Sequence, residues 1–165
     1  MKYNHNVIRS KYQLVPRTLV FIRKSDRYLL IHKKKADSFG YKKLNGIGGH
    51  IENGEEPFES AAREVKEETG LDAGDLLLAA IIFIDIGTNP GILMFVFSAN
   101  YISGDLVESD EGHLVWMEKE EIQKHQNVVK DVPYLIDITE SHRSGDSPKI
   151  IKYLYTENHE LRIVD

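Results

Sequence analysis

The sequence predicts an α/β fold in which a mixed β-sheet carries helices on both of its faces. Apolar runs rich in β-branched and aromatic residues are interspersed with amphipathic helical patterns, which is typical of layered α/β proteins. Short polar turns between some of these runs require antiparallel neighbours in the sheet. The chain has 165 residues, of which 41% are hydrophobic and 28% are charged, so we expect a single domain over residues 1–165.

A β-hairpin is predicted near the beginning of the chain. Residues 18–23 and 28–32 are mostly apolar runs, and the polar residues 24–27 separate them as a turn. Residues 33–56 are rich in glycine, lysine, asparagine and glutamate, which predicts a loop with a short extended piece. The lysines at 33–35 are expected to be solvated at a loop end, with electrostatic steering of a triphosphate as the alternative.

A helix is predicted over residues 57–69. Apolar residues recur there with the i, i+3, i+4, i+7 spacing of one helix face, beginning at Phe58. Pro57 suits the first helical position, and Gly70 suits a left-handed residue just after the helix. These signals predict both ends of the helix as well as its buried side.

The rest of the chain is predicted to add further strands and two short helices. Apolar runs that follow the first helix are predicted strands, at residues 79–86, 92–97 and 113–117. Helix-compatible patterns cover residues 118–124 and 132–141. Residues 149–156 and 160–164 are predicted to form a closing hairpin.

The composition and charge exclude several classes of function. The 21 basic and 26 acidic residues leave a net charge of -5, which gives no overall attraction to polymeric nucleic acid or to an anionic membrane. The absence of cysteine excludes disulfides, thiolate nucleophiles and zinc–thiolate sites. No segment approaches the roughly 18 apolar residues of a membrane span, and residues 1–6 lack the apolar core of a signal peptide, so we expect a cytoplasmic protein.

Three glutamates of the predicted helix share one face. Glu64, Glu67 and Glu68 are spaced i, i+3 and i+4, so their side chains lie within an arc of about 100°. Like charges at this spacing repel, and something cationic should compensate for them. Clustered carboxylates are typical ligands of Mg²⁺, together with water and substrate phosphates. We expect an exposed acidic face at the edge of a cleft, with a merely solvated helix face as the alternative.

A glycine-rich segment precedes this helix. Residues 44–49 read LNGIGG, and their glycines permit backbone conformations and close approaches that side chains would block. Such a loop can bring carbonyl or N–H groups to a metal or a phosphate, although a glycine loop on its own is more often a turn.

This glycine segment and the helix together resemble the Nudix box. Gly49 is followed after five residues by Glu55, and after seven more by residues 63–71, which read REVKEETGL. Proteins of this family fold as an α/β/α sandwich around a mixed sheet. Most of them hydrolyse a nucleoside diphosphate linked to another group, and they use Mg²⁺ or Mn²⁺. The resemblance therefore implies a pyrophosphohydrolase that acts on a small nucleotide.

The same resemblance implies roles for individual residues. Glu64, Glu67 and Glu68 match the metal ligands of the family. The Gly48 carbonyl matches a candidate further ligand. Arg63 matches the arginine that helps to hold the loop, the helix and the following loop in shape at the catalytic site.

Two segments, LNGIGG at residues 44–49 and ESDE at residues 108–111 with Trp116 five residues later, are similar to segments of the MutT-related phosphatases that hydrolyse oxidised purine nucleoside triphosphates such as 8-oxo-dGTP. Asn45 matches an asparagine that hydrogen-bonds the purine in that branch. Glu111 matches an acid that lies near the metals and is a candidate base. Asp131 matches an acid that reads the oxidised base, and Tyr134 matches an aromatic residue that stacks on it. Lys130 replaces a second base-reading acid, and a cation cannot accept hydrogen bonds from base N–H groups.

Several alternatives remain open at this point. Structural roles for the same positions are a turn residue at 45, a solvated loop acid at 111, a surface acid at 131 and a core aromatic at 134. Alternative substrates are ADP-ribose, dinucleoside polyphosphates and dihydroneopterin triphosphate. A module that senses a nucleotide without hydrolysing it is a further alternative, but such modules often lose box acids, and this chain keeps all of them.

Overall fold

The computed structural model describes residues 11–34, 41–72, 74–107, 110–155 and 161–164, and these residues are built around a mixed β-sheet. The strands are β1 (Leu14–Lys24), β2 (Arg27–Lys33), β3 (Leu44–Asn45), β4 (Leu77–Asp85), β5 (Gly91–Asn100), β6 (Gly112–Glu118), β7 (Lys149–Tyr155) and β8 (Leu161–Val164). The helices are α1 (Pro57–Thr69), α2 (Lys119–Lys124) and α3 (Val132–Ser141). None of the described helices is long and apolar enough to cross a membrane.

The sheet has the strand order β3-β2-β1-β5-β4-β7-β8, and β6 pairs with β2. The pairs β1–β5 and β4–β7 are parallel, whereas the other pairs are antiparallel. Strand β6 pairs with the whole length of β2 along one edge. Along its other edge, β2 pairs first with β1 and then with β3. The predicted mixed sheet is confirmed, and the closing hairpin is present as the pair β7–β8, whose turn lies outside the described residues.

Strand β1 is longer than the apolar run that predicted it. It begins at Leu14 because residues Leu14 to Arg17 pair in parallel with the first residues of β5, from Gly91 to Met94. This pairing joins segments that are far apart in the sequence, so no local pattern marks it. The extension matters for function because it carries Arg17 and Thr18 to the wall of an open cleft.

The two faces of the sheet are covered by different helices. In β1, Leu19 and Phe21 belong to a buried cluster that includes residues of α2 and α3. Val20 and Ile22, which alternate with them, belong to a second cluster that includes Ala61 of α1. Successive residues of a strand point to opposite faces, so β1 contributes to both layers of core. The predicted α/β/α sandwich with a mixed β-sheet is confirmed.

Local signals determine both ends of α1. The Glu56 side chain accepts hydrogen bonds from the backbone N–H groups of Phe58 and Glu59, and the Glu59 side chain accepts one from the Glu56 N–H, which forms a capping box. Pro57 occupies the first turn, where backbone N–H groups have no acceptor within the helix, so the N–H that proline lacks is not needed. Gly70 ends the helix with φ of 76° and donates its N–H to the Lys66 carbonyl. The predicted helix over residues 57–69 is confirmed.

Candidate active site

An open cleft of about 590 Å³ lies beside the acidic face of α1. Its walls come from β1, from the glycine loop at residues 45–50, from α1, and from the segment that precedes β6. The cleft brings together seven of the residues that the sequence singled out, namely Asn45, Gly48, Arg63, Glu64, Glu67, Glu68 and Glu111. The structure therefore assembles most of the predicted site in one place, and the functional role of each residue stays a prediction.

Backbone sterics require glycine in the loop against β1. Gly48 has φ of +147°, and a Cβ atom there would lie 2.2 Å from the Thr18 carbonyl oxygen, so a larger residue cannot fit. The Thr18 N–H donates to the Gly49 carbonyl at 2.9 Å, which attaches the loop to β1. A Cβ atom at Gly49 would lie 2.5 Å from a carboxylate oxygen of Glu64. Close approach of the loop to α1 thus depends on these glycines.

Arg63 connects the loop to the acidic face. Its Nε and Nη2 donate to the two carboxylate oxygens of Glu55 at 2.6 and 3.0 Å, and Nη2 also donates to the His50 carbonyl at 3.0 Å. Its Nη1 donates to Glu64 at 2.9 Å and to Glu67 at 3.0 Å. Hydrogen bonds from Arg63 lower the pKa of Glu55 to about 2, and Glu55 in turn raises the pKa of the guanidinium group. Arg63 is one of the cations that the repulsion between the glutamates requires.

Lys33 is a second cation that offsets the repulsion between the glutamates. The sequence predicts solvated lysines at residues 33–35, and this prediction is wrong for Lys33. Strand β2 continues through Lys33 because it pairs with β6 up to Gly112, and the Lys33 side chain is only 7% exposed. Its Nζ donates to Glu68 Oε1, forming a buried ion pair, and approaches the Gly48 carbonyl oxygen at 3.4 Å. Lys34 is exposed, and position 35 lies outside the described residues.

The three glutamates differ strongly in exposure. The Glu67 side chain is 60% exposed, whereas the side chains of Glu64 and Glu68 are 13% and 3% exposed. The expectation of exposure is therefore wrong for Glu64 and Glu68, and Glu68 is buried where it meets Lys33 at the end of β2. Burial raises the pKa of both Glu64 and Glu68, and the neighbouring Arg63 and Lys33 respectively oppose that rise.

The donor set of this wall fits a divalent cation. Carboxylate and carbonyl oxygens are the ligands that Mg²⁺ and Mn²⁺ prefer, and three carboxylates and the Gly48 carbonyl line the same cleft. Among the described residues no three His, Asp or Glu side chains are arranged to hold a metal as they stand. Arg63 donates hydrogen bonds to Glu64 and Glu67. The Lys33 ammonium group donates to Glu68 Oε1 and lies 3.4 Å from the Gly48 carbonyl oxygen.

Two polar atoms of the cleft wall are buried without hydrogen-bond partners in the described part of the chain. They are Arg17 Nε and Thr18 Oγ1, and both residues line the cleft. Buried polar groups are almost always hydrogen-bonded in folded proteins. Both atoms are enclosed by protein, so the cleft wall holds two buried polar groups that the described residues do not satisfy.

A small cavity adjoins the cleft at its apolar end, and the two share Asn45, Leu19 and Met94. Asn45 is buried, and its side-chain oxygen accepts the Gly46 N–H at 2.8 Å. Asp131 lines the small cavity, and it does not use its side chain to cap α3, although it immediately precedes that helix. Burial raises the pKa of Asp131. Asn45 therefore lines both the cleft and the small cavity, whereas Asp131 lines only the small cavity, whose volume is about 10 Å³.

Tyr134 has different surroundings. Its ring is partly buried against the core cluster that includes α2 and α3, and Lys149 Nζ lies 5.5 Å from the ring centroid and 3.3 Å from the hydroxyl group. It is not among the described residues that line the cleft or the small cavity. The structure does not bring Tyr134 into the site, and its stacking role stays a prediction.

Two residues of this region were not singled out as site residues by the sequence. Lys33 follows Leu29 and Ile31 at a spacing of two, which places it on the strand face that α1 covers, and this periodicity was the available signal. Tyr153 lines the small cavity with Asp131, and its buried hydroxyl group interacts with the Asp131 carboxyl group. Nothing in the local sequence distinguishes Tyr153 from an ordinary core tyrosine.

Comparisons with known proteins agree with this geometry. A family model of the NUDIX domain matches residues 13–137. The oxidized purine nucleoside triphosphate hydrolase of Mus musculus is 33% identical over 106 residues, which cover 64% of this chain and 67% of that protein. The protein of the same name from Danio rerio is 34% identical over 116 residues, which cover 70% and 73% of the two chains. The Mutator MutT protein from Bacillus halodurans shares the fold, with a TM-score of 0.68 and 24% identity over 91% of this chain and 97% of that chain.

Proposed function

Because this chain belongs to the Nudix family and is a pyrophosphohydrolase of that family, we propose that it uses Mg²⁺ or Mn²⁺ to hydrolyse a nucleoside triphosphate to a monophosphate and pyrophosphate. The observation that carries the proposal is the cleft wall formed by Glu64, Glu67, Glu68 and the Gly48 carbonyl. The names of the mouse and zebrafish relatives support an oxidised purine nucleotide, such as 8-oxo-dGTP, as the substrate.

The residues proposed to bind the cation lie on one wall of the cleft. Glu64, Glu67, Glu68 and the Gly48 carbonyl would hold the cation, which when bound would polarise phosphoryl oxygens and offset the negative charge of the transition state. Glu111 lies on the same cleft and is proposed to accept the proton of the water that attacks phosphorus in line. Arg63 acts as a positioning residue because it ties the acids to the glycine loop.

Recognition of the base is proposed for the apolar end of the cleft. Asn45 and Asp131 carry hydrogen-bonding groups there, and the buried Tyr153 hydroxyl group interacts with Asp131. Burial raises the pKa of Asp131 above that of an exposed aspartate. We also propose that the partners of this protein are free nucleotides. A cytoplasmic location is part of the same proposal, because the substrates are cellular nucleotides.

Incubation with a panel of nucleotides tests the proposed reaction. With Mg²⁺ present, we expect at least one purine triphosphate from a panel of oxidised and normal nucleotides to give a monophosphate and pyrophosphate, identified by chromatography. Release of a diphosphate and inorganic phosphate would contradict the proposed bond cleavage. Turnover of ADP-ribose or dinucleoside polyphosphates alone would keep the family chemistry but overturn the substrate.

Substitutions at the apolar end test whether it reads the base. We expect Asn45→Ala and Asp131→Ala to lower kcat/KM for the preferred purine by roughly ten- to a hundredfold, and to affect poor substrates much less. The reason is that all nucleotides share the metal and phosphate contacts, whereas only the correct base satisfies buried polar groups. The measurement is kcat/KM for 8-oxo-dGTP, dGTP, dATP and dCTP. Equal losses for all four nucleotides would show that these residues do not read the base.

A further inference from the structure

We propose that the Lys33 ammonium group occupies part of the cation site in the metal-free protein and must leave Glu68 before a divalent cation binds there. This inference rests on the metal dependence proposed above, but it concerns a residue outside the proposed set of metal ligands. It makes Lys33 an internal competitor of the metal, so that the affinity of the site is determined partly by a side chain of β2.

The contacts of Lys33 are those of a cation in the site. Its Nζ donates to Glu68 Oε1 and approaches the Gly48 carbonyl oxygen at 3.4 Å. The other Glu68 oxygen, Oε2, accepts the Gly48 N–H at 3.1 Å. Both Glu68 oxygens therefore have partners within the protein itself. The two oxygens that Lys33 contacts are also two of the four groups proposed to hold the metal.

Electrostatic repulsion disfavours simultaneous binding of Lys33 and a divalent cation to these oxygens. Lys33 and Glu68 are 7% and 3% exposed, so water screens little of the interaction between charges at this place. An ammonium group and a divalent cation on the same carboxylate oxygen would repel each other strongly. Metal binding at Glu68 therefore includes the breaking of the Lys33–Glu68 pair, and the apparent affinity for metal is reduced by the free energy of that pair.

Mn²⁺ binding measured by electron paramagnetic resonance tests the competition without relying on turnover. Methionine is unbranched, flexible and uncharged, so Lys33→Met removes the competitor and keeps much of its volume. We expect Lys33→Met to bind Mn²⁺ roughly ten- to a hundredfold more tightly than the wild type, because a charge-assisted hydrogen bond no longer has to be broken. The matched control is Lys34→Met, which removes the exposed neighbouring charge and should leave the affinity within about twofold.

Chemical labelling of the wild-type protein provides a second test that does not depend on the stability of a variant. A buried, ion-paired amine reacts slowly with an amine acetylating reagent, whereas a displaced one reacts faster. We expect saturating Mg²⁺ to increase acetylation of Lys33 severalfold, measured by mass spectrometry after digestion. Acetylation of the exposed Lys34 should not change and serves as the internal control.

The outcomes separate this inference from the function on which it rests. Tighter Mn²⁺ binding by Lys33→Met, or faster acetylation of Lys33 with Mg²⁺, supports displacement. Equal Mn²⁺ affinity in the wild type and Lys33→Met, with unchanged Lys33 acetylation, overturns displacement while leaving the metal site in place. Failure of both proteins to bind Mn²⁺ overturns the proposed metal dependence together with the inference.

Discussion

Replacement of Glu67 by glutamine is expected to lower kcat/KM by roughly 10²- to 10³-fold and to leave the free energy of unfolding nearly unchanged. The substitution removes one of the proposed metal-binding charges, and electrostatic stabilisation of this kind contributes several kcal/mol to catalysis. Packing is little affected, because the side chain is 60% exposed and its ion pair with Arg63 lies at the surface. The measurements are kcat/KM at saturating Mg²⁺ and chemical unfolding.

The matched control for this prediction is Glu121→Gln. Glu121 is an exposed acid of α2 and does not line the cleft, so the same change of charge should leave kcat/KM within about twofold. Wild-type activity of Glu67→Gln at saturating Mg²⁺ would mean that Glu67 is only a solvated surface residue and not a metal ligand.

Replacement of Glu68 by glutamine is expected to lower the free energy of unfolding by about 3–5 kcal/mol when metal is absent. The reason is the buried ion pair, since Glu68→Gln leaves the Lys33 ammonium group enclosed without its counter-charge. Repulsion among the glutamates also falls, but that gain amounts to only a few tenths of a kcal/mol per pair. Urea unfolding in the presence of a chelator measures the difference between the variant and the wild type.

Two further variants make this stability prediction specific. Asp72→Asn breaks the exposed ion pair between Lys66 and Asp72, and it should cost about 0–1 kcal/mol. The double replacement Lys33→Met with Glu68→Leu removes both charges of the buried pair, and it should recover most of the loss. If Glu68→Gln costs no more than Asp72→Asn, the buried pair contributes nothing beyond a surface ion pair.

Local signals explain how far the fold could be predicted from sequence. The boundaries of α1 follow from Pro57, the capping glutamates and Gly70, all of which act within a few residues of the helix ends. The acidic stripe follows from helical spacing alone. The strands follow from apolar runs, although the start of β1 does not, because it depends on pairing with a distant strand.

The burial of Lys33 and of Glu68 was not predicted, because it depends on tertiary contacts. Lys33 lies in a lysine-rich stretch that resembles a loop, and only its pairing register with β6, about 80 residues later, keeps it inside β2. Burial of Glu68 has the same origin, since the end of β2 covers that part of α1. Tyr134 is a different case, because no local pattern predicts that its ring packs beside Lys149 and outside the cleft.

Chelation of divalent metal during turnover tests the central claim, namely that the acidic wall of the cleft hydrolyses nucleotides through a bound cation. The assay follows release of pyrophosphate from the best purine triphosphate of the panel, first with excess chelator and then after addition of excess Mg²⁺. We predict no measurable release with the chelator and full recovery with Mg²⁺ in the wild type, but almost no recovery in Glu67→Gln. Undiminished release of pyrophosphate in the chelator would contradict the account, because the carboxylates would then have no metal to hold.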